Sequence, residues 1–252
     1  MKVAVIQHDI VWADRSANFE LLRPLISTAA EQKSRLVVLS EMFSTGFVVD
    51  RDNIGEPVGG PSSQFLTEMA STHNIYIAGS CPEVEDDDSR PFNSLVLAAP
   101  SGIQHRYHKI HPFTYGGEHK QFRAGNHNVV VEIDDIRIAL SVCYDLRFAD
   151  EYWGLAPDTD VYVIPANWPA SRREHWMALL RARAIENQAY VIGCNRVGEG
   201  GGLTYSGDSR IIDPLGNVLA EADHRPQILY ANIDAATVKE IRTKFPFLQD
   251  RR

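Results

Sequence analysis

The chain is short of several things, and each shortage narrows what it can do. Cysteine occurs only three times in 252 residues. Cys81, Cys143 and Cys194 form an odd, widely spaced set that builds no disulfide framework, and a reducing cytoplasm is their natural setting. Positive charge is also scarce: 25 Lys and Arg against 33 Asp and Glu give a net charge of −8. With a pI near 5.6, a nucleic-acid partner is not expected, because such footprints are basic. No apolar run reaches the roughly 18 residues that read as a membrane span, and the first strand begins at Lys2, which leaves no room for a signal peptide. Several catalytic motifs are missing as well. No G-x-S-x-G occurs, so a serine-hydrolase elbow is out. Gly198, Gly200, Gly201 and Gly202 do not make G-x-G-x-x-G, and no P-loop is present.

What remains is an ordinary soluble composition, 44% hydrophobic and 23% charged, long enough for a sizeable core. No internal repeat or linker interrupts it, so residues 1–252 are read as a single domain. Strands are expected at Val3 to Ile6, Leu36 to Leu39, Asn74 to Ser80, Val161 to Ile164 and Tyr190 to Asn195. Hairpins are expected at 93–107 and 129–142, and further strands close the chain before a helix near Asp234. Helical spacing covers Asp14 to Lys33, where Pro24 should kink or break the helix. It also covers Pro61 to His73, with Pro61 suited to a first turn, and Arg172 to Asn187. Phe113 to Asn126 reads as an irregular loop, Glu83 to Asp88 as a solvated acidic connection, and Gly198 to Gly202 as a flexible loop. The order suggests layered sheets with helices outside, an α/β class.

The chemistry gathers where apolar strands end. Ile138 to Val142 is a buried-strand pattern that breaks at Cys143, with Asp145 and Arg147 following at once. A side chain at such a corner stands beside backbone N–H groups freed at a helix start, a good place for a nucleophile needing an oxyanion site. Glu41 leaves the Leu36–Leu39 run in the same way, and Lys109 leaves the second strand of the 93–107 hairpin. Taken alone, each has a bland alternative: a buried structural cysteine, a solvated strand end, a surface lysine. Together they supply a thiol, a base, and a cation that the backbone N–H of Tyr144 could join at an oxyanion. His105, His108 and His111 invite a metal reading. Residues three apart on a strand face opposite sides, so they do not converge there and no metal is expected.

Three stretches carry a resemblance: Val38-Leu39-Ser40-Glu41-Met42-Phe43, His108-Lys109-Ile110-His111-Pro112-Phe113, and Cys143-Tyr144-Asp145-Leu146-Arg147-Phe148. In this order the chain resembles the nitrilase, or carbon–nitrogen hydrolase, superfamily. The likeness runs over nearly the whole chain, through Gly117-Glu118, Arg183 to Gln188 and Gly207-Asp208-Ser209. It implies a four-layer α-β-β-α sandwich and a homodimer. It also implies Glu41 as general base, Lys109 as oxyanion stabiliser, Cys143 as nucleophile and Glu118 as a second, positioning glutamate, with no cofactor. The Cys-Tyr-Asp-Leu-Arg-Phe and Ala166-Asn167-Trp168-Pro169 stretches look most like the bacterial omega-amidase branch, which cleaves the terminal amide of 2-oxoglutaramate and 2-oxosuccinamate. Ala149 departs from the proline many relatives carry. A nitrilase, carbamoylase or other aliphatic amidase would share the triad, and a catalytically silent binding protein is the reading from another class.

The partner expected is therefore a small-molecule amide. Candidate substrate contacts are Phe113, Tyr115, Tyr144 and Trp168 as walls, and Arg147, Arg172, Arg173 and His175 as cations for a carboxylate. Trp176 reads equally as wall or core.

Overall fold

The computed structural model describes residues 1–48, 54–85 and 90–251. In chain order the first half gives β1 (Lys2–Gln7), α1 (Arg15–Glu31), β2 (Leu36–Val38), β3 (Glu56–Pro57), α2 (Pro61–His73), β4 (Tyr76–Val84), β5 (Phe92–Ala98), β6 (Gln104–His108) and α3 (Glu118–Gln121). The second gives β7 (Val130–Ile133), β8 (Ile136–Leu140), α4 (Ala149–Leu155), β9 (Val161–Ala166), α5 (Arg173–Asn187) and β10 (Tyr190–Asn195). It ends with β11 (Val197–Gly200), β12 (Leu203–Ser206), β13 (Arg210–Ile212), β14 (Val218–Glu221), β15 (Gln227–Asn232) and α6 (Ala235–Lys244).

The strands sort into two sheets. One runs β15-β1-β2-β4-β5-β6, with β3 beside β4, and the other runs β14-β13-β10-β9-β8-β7. The period-two alternation of strand side chains explains how they stack. In β1, Ala4 and Ile6 pack with Leu22 and Ile26 of α1 and with Phe65 and Leu66 of α2. Val3 and Val5 face the other way, into a core shared with Ile138, Leu140, Val163 and Ile192 of the second sheet, and with Trp176, Leu180 and Ala184 of α5. The layers are thus α1/α2, sheet, sheet, α5, the expected α-β-β-α sandwich. No helix among the described residues is long and apolar enough to cross a membrane.

Strand direction then places the site. β2 pairs parallel with β4, β4 antiparallel with β5, and β5 antiparallel with β6, so β2 and β6 point the same way. In the second sheet β8, β9 and β10 are parallel neighbours. Glu41, Lys109, Cys143 and Asn167 all follow the carboxyl ends of such strands, the rim where open α/β sheets hold ligands.

Four local expectations need correcting. Of the kink or break expected at Pro24, the break does not occur: α1 is one helix from Arg15 to Glu31; the missing N–H costs one internal bond, and burial of Leu22, Ile26 and Ala29 around it holds the helix. Glu83 is not part of a solvated connection. It lies fully buried in an extended β4 and pairs with Arg106 at 3.0 Å; Asp86 to Asp88 lie outside the described residues. The 113–126 stretch contains α3, started at Gly117, whose φ of +80° a side chain would resist. Finally, the 198–202 stretch is no loose loop: Gly198 to Gly200 belong to β11, and Gly201-Gly202 make the turn to β12. A Cβ at Gly200 would sit 2.5 Å from the Trp12 ring, so the glycines there are a packing requirement.

Candidate active site

Cys143 begins a 3-10 turn directly after β8. Its φ of +46° lies in the left-handed region, a conformation that costs a non-glycine residue on the order of 1–3 kcal/mol and persists only where its surroundings over-determine it. The strained corner leaves the thiol on the cavity that Glu41 and Lys109 also line, beside the backbone N–H of Asn167. Burial pushes the Cys143 thiol well above its ordinary value, and the Glu41 charge adds to this while Lys109 opposes it. The resting group is a neutral thiol.

Glu41 follows β2 and is fully buried. Its Oε1 accepts from Lys109 Nζ at 2.9 Å and from Asn93 Nδ2 at 2.8 Å. Its Oε2 accepts from the Asn167 backbone N–H at 2.7 Å. Lys109 also donates to Glu118 Oε2 at 2.9 Å, and Asn93 Nδ2 reaches Glu118 Oε1 at 3.1 Å. Two carboxylates therefore share one ammonium and one amide. Burial alone would lower the Lys109 pKa. The charges of Glu118 and Glu41 outweigh it and hold the ammonium well above its ordinary value, so Lys109 stays a cation. Burial raises Glu118, with Lys109 pulling it back and Glu41 pushing further up. Glu118 owes its place to α3, where its carboxylate also accepts from the Phe113 backbone N–H.

Cys143, Glu41 and Lys109 open onto one cavity of about 260 Å³. Trp12, Phe47, Phe113, Tyr144, Trp168 and Tyr205 form much of its wall. Arg147 and Arg172 also line it. The Arg147 guanidinium lies 4.7 Å over the Trp168 ring and 3.2 Å from His175 Nδ1. That of Arg172 lies 5.5 Å over the Phe113 ring. Among the described residues neither has a carboxylate partner.

The structure therefore gathers most of the expected residues. Phe113, Tyr144, Arg147 and Trp168 line the cavity, but three candidates do not. Tyr115 is 88% exposed, because the turn after Phe113 carries it outward. Arg173 is taken by Asp208 at 2.6 Å, on the far side of the α5 start. His175 touches Arg147 from outside. Trp176 is core, with Nε1 donating to Asp208 O at 2.9 Å. Trp12, Phe47, Leu203, Tyr205 and Asn93 were invisible as site residues, because each lies on a segment brought in only by tertiary folding. The cluster of glycines at 198–202 was the available signal for Trp12. No group of three His, Cys, Asp or Glu among the described residues is placed to hold a metal ion.

Known proteins resemble this chain along nearly its whole length. The carbon–nitrogen hydrolase family model matches residues 2–243. The chain is 40% identical to the omega-amidase YafV of Escherichia coli, over 99% of this chain and 96% of that one. It is 32% identical to the 2-oxoglutaramate amidase of Bacillus subtilis, over 99% and 97%. Among solved structures, a CN-hydrolase superfamily protein from Xanthomonas campestris, with an arsenic adduct in its active site, superposes with a TM-score of 0.94 at 35% identity, covering 100% of this chain and 97% of that one.

Proposed function

The chain belongs to the carbon–nitrogen hydrolase family, and from that premise we propose that it is a thiol amidohydrolase of the omega-amidase type. Its substrates would be small dicarboxylate monoamides such as 2-oxoglutaramate and 2-oxosuccinamate, cleaved to the dicarboxylate and ammonia. The observation that carries the substrate class is the pair of guanidiniums, Arg147 and Arg172, that face the same cavity as Cys143 with no carboxylate partner among the described residues. A carboxylate at the far end of the substrate supplies that missing charge.

In this reading Glu41 takes the Sγ proton as Cys143 attacks the amide carbon. The Lys109 ammonium and the Tyr144 N–H stabilise the oxyanion. Protonated Glu41 passes its proton to the departing ammonia, and the acyl group stays on sulfur as a thioester. Glu41 then activates a water that cleaves the thioester and regenerates the thiol. Asn93, Asn167 and Lys109 keep Glu41 aimed, and Glu118 holds Lys109 from its other side. These steps call on neither a metal nor an organic cofactor.

The same reading takes residues 1–252 as one carbon–nitrogen hydrolase domain working in the cytoplasm, where three unpaired buried cysteines are at home. It works as a homodimer. Ile185 on α5, which packs on Gly216, and Leu215, the residue before that glycine, are 45% and 61% exposed, as an apolar face awaiting a second copy would be. A panel of amides, nitriles and carbamoyl amines, read by ammonia release, tests the function. The carboxylate-bearing amides should lead it, and a nitrile or carbamoyl amine in front would overturn the assignment.

A further inference from the structure

Asp145 lies just beyond the nucleophile and is buried. Four donors converge on its carboxylate. Oδ1 accepts from the His111 backbone N–H at 2.9 Å and from His111 Nδ1 at 3.0 Å. Oδ2 accepts from Tyr107 OH at 2.8 Å and from the Val142 N–H at 3.0 Å. The origin of these donors matters more than their number. Tyr107 and His111 flank Lys109, one on each side, and belong to the first sheet and the loop it feeds. Val142 immediately precedes Cys143, on the segment that leaves β8 of the second sheet. One carboxylate thus grips the lysine-bearing segment at two points and the cysteine corner at a third. The His111 ring then stacks on Phe148, at the end of the same 3-10 turn, with centroids 3.7 Å apart.

From this we infer that Asp145 is a positioning residue that clips the Cys143 corner to the Lys109 segment, and so fixes where the thiol stands relative to the ammonium. The inference rests on the proposed roles of Cys143 and Lys109. The corner needs such a clip for a physical reason. Cys143 sits at a positive φ that its own side chain disfavours, and the two groups arrive from different sheets, so no single element sets their separation. Without the clip the corner can relax toward an ordinary backbone, and the oxyanion donors then miss the atom that Cys143 creates. Misplacement of about 1 Å can cost on the order of 100-fold in rate. The cost should fall on the chemical step rather than on substrate binding, because Asp145 does not line the cavity.

Asp145→Asn keeps the volume but faces one pair of donors with an NH₂. The expected result is a fall in kcat of about 30-fold with KM changed less than about 3-fold, measured well below the melting temperature. A double-mutant cycle separates positioning from mere stability. In a Lys109→Ala background the aspartate has no lysine left to place, so the same substitution should cost less than about 3-fold. Tyr107→Phe, which removes one donor of four and leaves the fold least disturbed, should lower kcat by about 3- to 10-fold at unchanged KM. Equal factors in both backgrounds, or full kcat in Asp145→Asn and Tyr107→Phe, would overturn the inference. A Cys143→Ala variant run beside them separates the two levels: if it retains turnover, the nucleophile assignment fails, whereas its loss with full activity in the clip variants removes the clip alone.

Discussion

The backbone N–H of Asn167 donates to Glu41 Oε2 at 2.7 Å, across the seam between the two sheets. Glu41 follows a strand of one sheet and Asn167 a strand of the other. The carboxylate is therefore held by both halves of the sandwich, with Asn93 and Lys109 on its other oxygen. A carboxylate fixed this way cannot swing, so the proton it accepts and the proton it returns pass through one position.

Glu41→Gln should then stop both halves of the reaction. The amide cannot take the thiol proton, and one end of it must set an N–H against existing donors. Intact-protein mass spectrometry after mixing with 2-oxoglutaramate should show no acyl-enzyme. Accumulated acyl-enzyme would mean that Glu41 serves deacylation alone.

Cys143→Ala should abolish ammonia release while leaving the melting temperature close to that of the parent. Cys81→Ala and Cys194→Ala should leave activity nearly unchanged. Both lie in the strand cores, Cys194 with Sγ near the carbonyls of Ile6 and Val38 rather than any catalytic group.

Lys109→Ala should lower kcat by about 100-fold or more, the scale of losing one oxyanion donor. The loss has a second source, because the buried Glu41 and Glu118 carboxylates would face each other without their cation. An effect confined to KM would make Lys109 a substrate-binding residue instead.

The strand ends at Glu41, Lys109 and Cys143 were legible in the sequence, because a buried strand writes itself as an apolar run and its end as an abrupt polar residue. The two-sheet sandwich was legible only through the family resemblance; periodicity does not say that Val3 and Ala4 face different partners. Asn93, Trp12 and Tyr205 left no local mark, since their roles depend on which segments meet. Arg147, Arg172, Arg173 and His175 were equivalent as charges. The direction of the α5 start separated them, sending Arg173 to Asp208 and leaving Arg172 on the cavity.

His111 gives a test by pH. Its hydrogen bond to Asp145 raises its pKa, burial opposes this, and the charges of Asp145, Glu151 and Asp150 add to the rise. A raised folded-state value means that folding takes up a proton. The stabilisation is therefore complete below the ordinary value of about 6.5 and is lost as pH rises through the raised one. His111→Gln should lower the melting temperature more at about pH 5.5 than at about pH 8.5. Equal shifts at both would show that the ring's charge contributes nothing to the fold.

The most direct test of the whole account is the ratio of kcat/KM for 2-oxoglutaramate to that for pentanamide, a neutral amide of equal length, in the parent and in Arg147→Ala. Leaving a cation without its partner costs roughly 2–5 kcal/mol. The parent should therefore favour the charged amide by about 30-fold to several thousand-fold, and Arg147→Ala should erase most of that preference while sparing the neutral substrate. Equal kcat/KM for the two amides in the parent would contradict a carboxylate-gripping cavity and point to a general aliphatic amidase.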